Sequence, residues 1–228
     1  MAMGEKRKKV GECAYCGVTA TLTDEHVIPR CLFEKPLPPD IVKVPVCEKC
    51  NNDKSKDDDY LRDFLVTDIY ASEHPTAKRI FLTKTLSSGR QNKSALVRAA
   101  KTQGRPEAIY TKGGIYLGEG FGVPLEGERV NQIFIRIIRG LYYKIRSKRI
   151  PDDYVFDVSR WDASEFREAW PKLQEIGFNG PYRCGDVLTC LMQYAQEDEF
   201  ISLWWLWFYD GVCVHVTTYP PGFKWEPP

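Results

Sequence analysis

The chain has 228 residues, 43% of them hydrophobic and 13% aromatic, which gives one or two domains with a real core and excludes overall disorder. Its net charge is +1, from 32 basic and 31 acidic residues, so bulk charge selects no partner. No apolar run approaches the roughly 20 residues of a membrane span, and the basic start MAMGEKRKKV has no apolar stretch behind it. The expectation is a cytoplasmic protein without a membrane partner. Eight cysteines in a reducing compartment read first as metal ligands rather than as a disulfide framework.

Residues 10–66 carry the most specific pattern. Cys13-Ala14-Tyr15-Cys16 and Cys47-Glu48-Lys49-Cys50 are two C-x-x-C pairs among short β-like pieces. A two-residue gap lets both thiolates of a pair approach one ion, and two such knuckles complete a tetrahedral four-thiolate site for structural Zn2+. Cys31, Cys184, Cys190 and Cys213 lack that spacing and read as ordinary thiols. Between the knuckles, Asp24-Glu25-His26 sets two carboxylates beside an imidazole at the end of a β piece broken by Pro29. After the second knuckle, the polar segment from Asn51 to Leu65 looks helical. A shared metal brings the start of that helix near the first knuckle, so His26 faces helix side chains across a narrow gap. An imidazole can deprotonate water near neutral pH, and carboxylate and amide oxygens suit Mg2+ or a similar hard cation.

Further along, residues 67–106 read as helix and loop, and 108–117 as a hairpin with Gly113-Gly114 at or beside the turn. A glycine-rich passage through Gly122 reads as a loop. Residues 130–149 place Ile133, Ile137, Leu141 and Ile145 at four-residue spacing and predict an amphipathic helix ending before Pro151. Residues 163–170 resemble a helix start capped near Ser164. Residues 201–219 predict two strands about a tight Asp210-Gly211 turn, with Trp204, Trp205, Trp207 and His215 as packing residues and His74 solvated. The predicted fold class is α+β. A metal-bound N-terminal module (10–66) is followed by a basic helix, loop and hairpin connector (67–128) and an α+β domain with an antiparallel C-terminal hairpin (129–228).

The ordered set C-x-x-C, D-E-H-V-I-P, C-x-x-C-N-N-x-K-S resembles the zinc-containing HNH endonucleases, which have the ββα-metal fold. The resemblance implies metal-dependent hydrolysis of DNA with His26 as general base. It also implies that Glu25 and Asn51 hold a catalytic Mg2+ or Mn2+. Three features depart from the pattern. Where many relatives supply a His or Asn from the helix, this chain offers Lys56, Asp57, Asp58 and Asp59, with Asp57 the substitute ligand expected. Val42 stands where the family often has an asparagine, and strand alternation alone would put Asp24 rather than Glu25 on the face of His26.

Charge is segregated along the chain. Residues 74–106 hold eight basic and no acidic residues, residues 129–151 hold seven basic and no acidic ones, and residues 152–199 hold 11 acids against four bases. Either the basic blocks meet a phosphate backbone, with Arg136, Arg139 and Lys144 on DNA and Arg30 or Lys54 at a phosphate nearer the site, or they pair with the acidic block. The alternatives to a nuclease are a non-catalytic zinc module that binds nucleic acid and a protein-interaction or defence-associated effector. Oligomeric state is not legible.

Overall fold

A three-stranded antiparallel sheet, ordered β1-β2-β3, opens the fold: β1 (Val10–Glu12), β2 (Thr19–His26) and β3 (Lys43–Cys47). The computed structural model describes residues 9–91, 93–110, 114–161, 163–175 and 178–224. The β2–β3 register sets Leu22 opposite Cys47 and His26 opposite Lys43, so the second cysteine pair arrives beside the first. The helix expected over 51–65 is two helices, α1 (Glu48–Asn52) and α2 (Ser55–Thr67), separated at Asp53-Lys54. Asn-Asn-Asp supplies side chains that compete for backbone hydrogen bonds, which favours a break there.

Residues 67–106 contain α3 (Pro75–Ile80), a π-helical turn (Phe81–Thr85), α4 (Leu86–Arg90) and α5 (Ala95–Gln103). Ser94 caps α5, its Oγ accepting from the Val97 N–H at 3.1 Å. The hairpin is longer than its predicted span: β4 (Arg105–Tyr110) pairs with β5 (Tyr116–Gly122), and the glycine-rich passage is strand rather than loop. Ladder hydrogen bonds need only backbone, so glycines do not prevent pairing. Gly113 lies outside the described residues. The long helix α6 (Gly127–Arg146) begins three residues earlier than expected and ends at Ser147, whose φ of 54° is left-handed.

The remaining strands are β6 (Val155–Trp161), β7 (Asn179–Cys184), β8 (Leu188–Tyr194), β9 (Ser202–Phe208) and β10 (Val212–Tyr219). They form an antiparallel sheet ordered β6-β10-β9-β8-β7, with α7 (Ala163–Glu175) between β6 and β7 in sequence. The turn between β9 and β10 falls one residue earlier than predicted: Phe208 pairs with Val212, and Tyr209 and Asp210 carry the positive φ angles. Trp204 and Trp205 are buried, and the Trp205 ring lies 4.6 Å from that of His215, as packing predicts. His74 is half-buried beside the Tyr209 ring rather than solvated.

One hydrophobic cluster runs through Val44 of β3, Leu61 of α2, Ile137 of α6, and Trp204 and Val216 of the large sheet. Residues 10–66 and 129–228 therefore share a core. The approach is close where α6 crosses the segment after β2: a Cβ on Gly140 would sit 2.7 Å from Val27 Cγ2. Among the described residues, no helix is long and apolar enough to cross a membrane.

A buried polar network ties α2 to the helices that follow. Asp63, 1% exposed, accepts from Arg62 Nε and Nη2 at 2.9 and 2.7 Å, from Thr85 Oγ1 at 2.7 Å and from Ser94 Oγ. Asp63→Ala leaves the buried Arg62 guanidinium with only the exposed Asp59 as a partner and takes the acceptor from the Thr85 and Ser94 hydroxyls, so it is expected to cost about 3 kcal/mol in a urea-denaturation measurement. A loss under about 1 kcal/mol would mean that the network contributes little net stability.

Candidate metal centre and adjoining cavity

The two cysteine pairs converge. The ligand atoms of Cys13, Cys16, Cys47 and Cys50 all lie within 4.8 Å of one another, and the Cys16 and Cys47 sulfurs are 3.8 Å apart. Among the described residues this is the one group of three or more His, Cys, Asp or Glu ligand atoms positioned to hold a metal ion. The first knuckle is a tight turn in which Gly17 N–H donates to Cys13 O at 2.9 Å, and Gly17 takes a φ of +72° that a side chain would strain. The second knuckle is the junction of β3 with α1. The turn is tied to β3 by the Ala14 N–H, which donates to Pro45 O at 2.9 Å. Burial works to raise the Cys13 thiol, but backbone amides at Cys16, Cys47 and Tyr15 outweigh it and bring the pKa down to about 7. Burial pushes Cys50 well up. Charging all four sulfurs together therefore calls for a cation among them.

Beside this cluster lies a polar cavity of about 450 Å3, lined by Asp24, Glu25, His26, Arg30, Cys31, Asn51, Lys54, Asp58 and Asp59. Three elements supply the lining: the end of β2 with the turn after it, the end of α1, and the first turns of α2. Asn51, Lys54 and Asp58 are spaced i, i+3, i+7, and despite the break at Asp53-Lys54 they reach the same cavity. Asn51 Nδ2 donates to Thr23 Oγ1 at 2.9 Å, which leaves Oδ1 as the atom available to a cation.

His26 is half-buried. Its pKa is held below the ordinary histidine value by burial first and then by Lys43 and Arg30, with Asp24 opposing. The imidazole is accordingly neutral near pH 7, the form that accepts a proton. Asp24, Glu25 and His26 all border the cavity, so strand alternation does not separate them. Glu25 is only 2% exposed and is ion-paired with Lys54 Nζ. The same ammonium lies 3.5 Å from Asp58 Oδ2 and 3.5 Å from His26 O. Burial lowers the Lys54 pKa and raises that of Asp58. The ammonium is thus the positive charge that the buried carboxylate currently has.

Several expected residues lie elsewhere. Asp57 does not border the cavity; its carboxylate pairs with Arg129 at 2.8 Å and with Arg136 at 3.6 Å. One residue on a helix turns the side chain about 100°, which carries Asp57 towards α6 and leaves Asp58 at the cavity. Arg136 and Arg139 are not on a free face. Arg136 pairs with Asp57 and Asp58, and Arg139 with Asp152 at 3.4 Å and with Ile150 O at 2.9 Å. Arg146 and Lys148 both engage Glu199. The second basic block is therefore largely neutralised within the chain, partly by the acidic block as the charge pattern allowed and partly by α2. Lys144 is exposed and lies outside these pairs. Val42 is 4% exposed within the core, and its carbonyl accepts from the Val27 N–H at 3.0 Å, so backbone rather than an asparagine side chain ties the turn after β2 to the segment before β3.

Sequence reasoning preferred Asp57 to Asp58 and Asp59 and missed the Lys54–Glu25 pair. The i, i+4 spacing of Lys54 and Asp58 was available as a signal; the burial of Glu25 was not. In comparisons with known proteins, no family model, no curated protein and no solved structure matches the chain.

Proposed function

We propose that the chain is a metal-dependent endonuclease of the HNH type that hydrolyses phosphodiester bonds in DNA, with the four cysteines holding a structural zinc. The observation that carries this reading is the cavity in which neutral-prone His26, Glu25 and Asn51 come together directly beside the cysteine cluster. A tetrahedron of sulfurs around zinc at about 2.3 Å has edges of about 3.8 Å, which agrees with the Cys16–Cys47 separation of 3.8 Å. Four thiolates saturate such an ion, so it has no open position for water, and hydrolysis needs a second cation and a separate base.

The residues at the cavity fit that requirement. Glu25 and Asn51 offer a carboxylate and an amide oxygen, the donors that suit Mg2+ or Mn2+, and Asp58 takes the helix position that the sequence suggested for Asp57. A bound divalent cation supplies charge to the phosphate and to the departing 3′ oxygen. His26 takes the proton from the attacking water. Glu25 would hold the cation in place of its Lys54 partner, and the ammonium would then neutralise a phosphate oxygen together with Arg30.

A second reading, a zinc-stabilised module that binds DNA without cutting it, draws on the same Lys54–Glu25 pair, because an ammonium already satisfies the buried carboxylate. Mn2+ titration of zinc-loaded protein separates the two. The nuclease reading expects one Mn2+ per chain, about tenfold or more tighter binding in Lys54→Met, where the competing charge is gone, and loss of binding in Glu25→Gln. Absence of Mn2+ binding in both wild type and Lys54→Met selects the second reading.

A further inference from the structure

A second cavity, of about 350 Å3, adjoins the first on the other side of α2, and Asp59 borders both. Its walls carry four cations, Lys56 from α2, Lys93 from the residues just before α5, Arg98 from the first turn of α5 and Arg129 from the first turn of α6, together with Tyr60. We propose that this cavity binds a backbone phosphate of duplex DNA flanking the scissile bond, so that Lys56 and Lys93 rather than Arg136, Arg139 and Lys144 meet the nucleic acid. The proposal rests on the nuclease or DNA-binding reading of the neighbouring cavity.

Two of the four cations, Lys56 and Lys93, carry charge that no ion pair among the described residues neutralises, while Arg129 is already paired with Asp57. In the second basic block Arg136, Arg139, Arg146, Lys148 and Arg149 are all committed to carboxylates of the chain. Residues 74–106 contain no carboxylate, and among the described residues no ion pair engages the ammonium of Lys93 or of Lys56. The two carboxylates at this cavity are already answered. Asp63 is saturated by Arg62, Thr85 and Ser94, and Asp59 accepts from Arg62 Nη1 at 2.5 Å. Neither would have to be displaced by an incoming anion.

The two arginines are fixed in place. Arg98 Nη1 donates to Lys93 O at 3.1 Å. Arg129 Nη2 donates to Lys56 O at 3.1 Å while its guanidinium lies 4.4 Å over the Tyr60 ring. A phosphate here replaces no ion-pair partner of the two lysines among the described residues and gains their charge beside the two anchored arginines. Asp59 is common to both cavities, so a phosphate bound at the lysines lies next to one facing His26.

The test is duplex-DNA binding by fluorescence anisotropy across a salt series, in the His26→Ala background so that nothing is cut. Lys56→Ala/Lys93→Ala is expected to weaken binding on the order of tenfold at low salt. It should also reduce the slope of log K against log salt by about 1, near 0.9 for the one phosphate that is no longer neutralised. Lys93→Arg should keep the slope, and Lys144→Ala, an exposed lysine outside the cavity, should leave it unchanged. Binding with an unaltered slope in the double variant, or an equal loss from Lys144→Ala, overturns the proposal and leaves the function of the neighbouring cavity standing. Failure of the parent protein to bind DNA at any salt overturns both. Lys93→Glu, scored for the same slope after a check of its melting temperature, repeats the test at a single exposed position.

Discussion

Replacing Cys13 or Cys47 by serine is expected to strip the bound metal and unfold the chain around it. These are the two buried members of the cluster, so serine there loses a ligand and leaves a polar hydroxyl without water. Structural zinc contributes apparent free energies of about 10–16 kcal/mol in small zinc-binding peptides, comparable to the whole ~5–15 kcal/mol stability of an ordinary domain. The loss should not stay local, because Val44, Leu61 and Ile137 belong to one core with the large sheet. Metal analysis paired with circular-dichroism melting checks this: about one zinc per wild-type chain, none in the variants, and a melting transition lost or lowered throughout. A metal-free variant that melts like wild type would remove the structural role of the cluster.

On the proposed nuclease function, replacing His26 by alanine is expected to lower DNA cleavage by about 10²–10⁴-fold, the usual contribution of a general base, with zinc content and DNA affinity kept. The pH dependence follows from the environment of the imidazole. Its pKa is depressed by burial and then by Lys43 and Arg30, and the active form of a base is the neutral one. Activity should rise with pH through that lowered pKa and lie on a plateau at neutrality, so that the acid limb falls below the ordinary histidine range. Lys43→Glu replaces a repelling charge by an attracting one and should move the acid limb to higher pH. An acid limb that does not move in Lys43→Glu would mean that another group sets it.

How far these expectations were legible in the sequence depends on the kind of constraint. The cysteine pairs were legible because a two-residue spacing encodes a local turn, and two such turns serve one ion wherever the intervening chain goes. The long helix and the final hairpin were legible from periodicity, since the apolar stripe of α6 and the aromatic run of β9 are strong local patterns. Strand β5 was not, because Gly118, Gly120 and Gly122 mask a ladder that depends on backbone alone. The Lys54–Glu25 pair was not legible either. It exists because β2 and α2 meet in three dimensions and Glu25 is left almost without water, and neither fact is encoded in adjacent residues. The fate of the basic blocks turned on the same non-local information: Arg129 and Arg136 face the acids of α2 across the fold, some seventy residues away in sequence.

Metal-dependent hydrolysis at the His26 cavity, with the cysteine cluster only holding the fold, is tested most directly with supercoiled plasmid. Zinc-loaded wild-type protein is incubated with it in the presence and absence of added Mg2+ or Mn2+. Conversion to nicked or linear forms only when the second metal is added, with zinc content constant throughout, is the expected outcome. Cleavage that proceeds equally without the added metal would contradict it. So would protein that is folded, zinc-loaded and bound to the plasmid yet leaves it supercoiled with both metals and across a broad pH range.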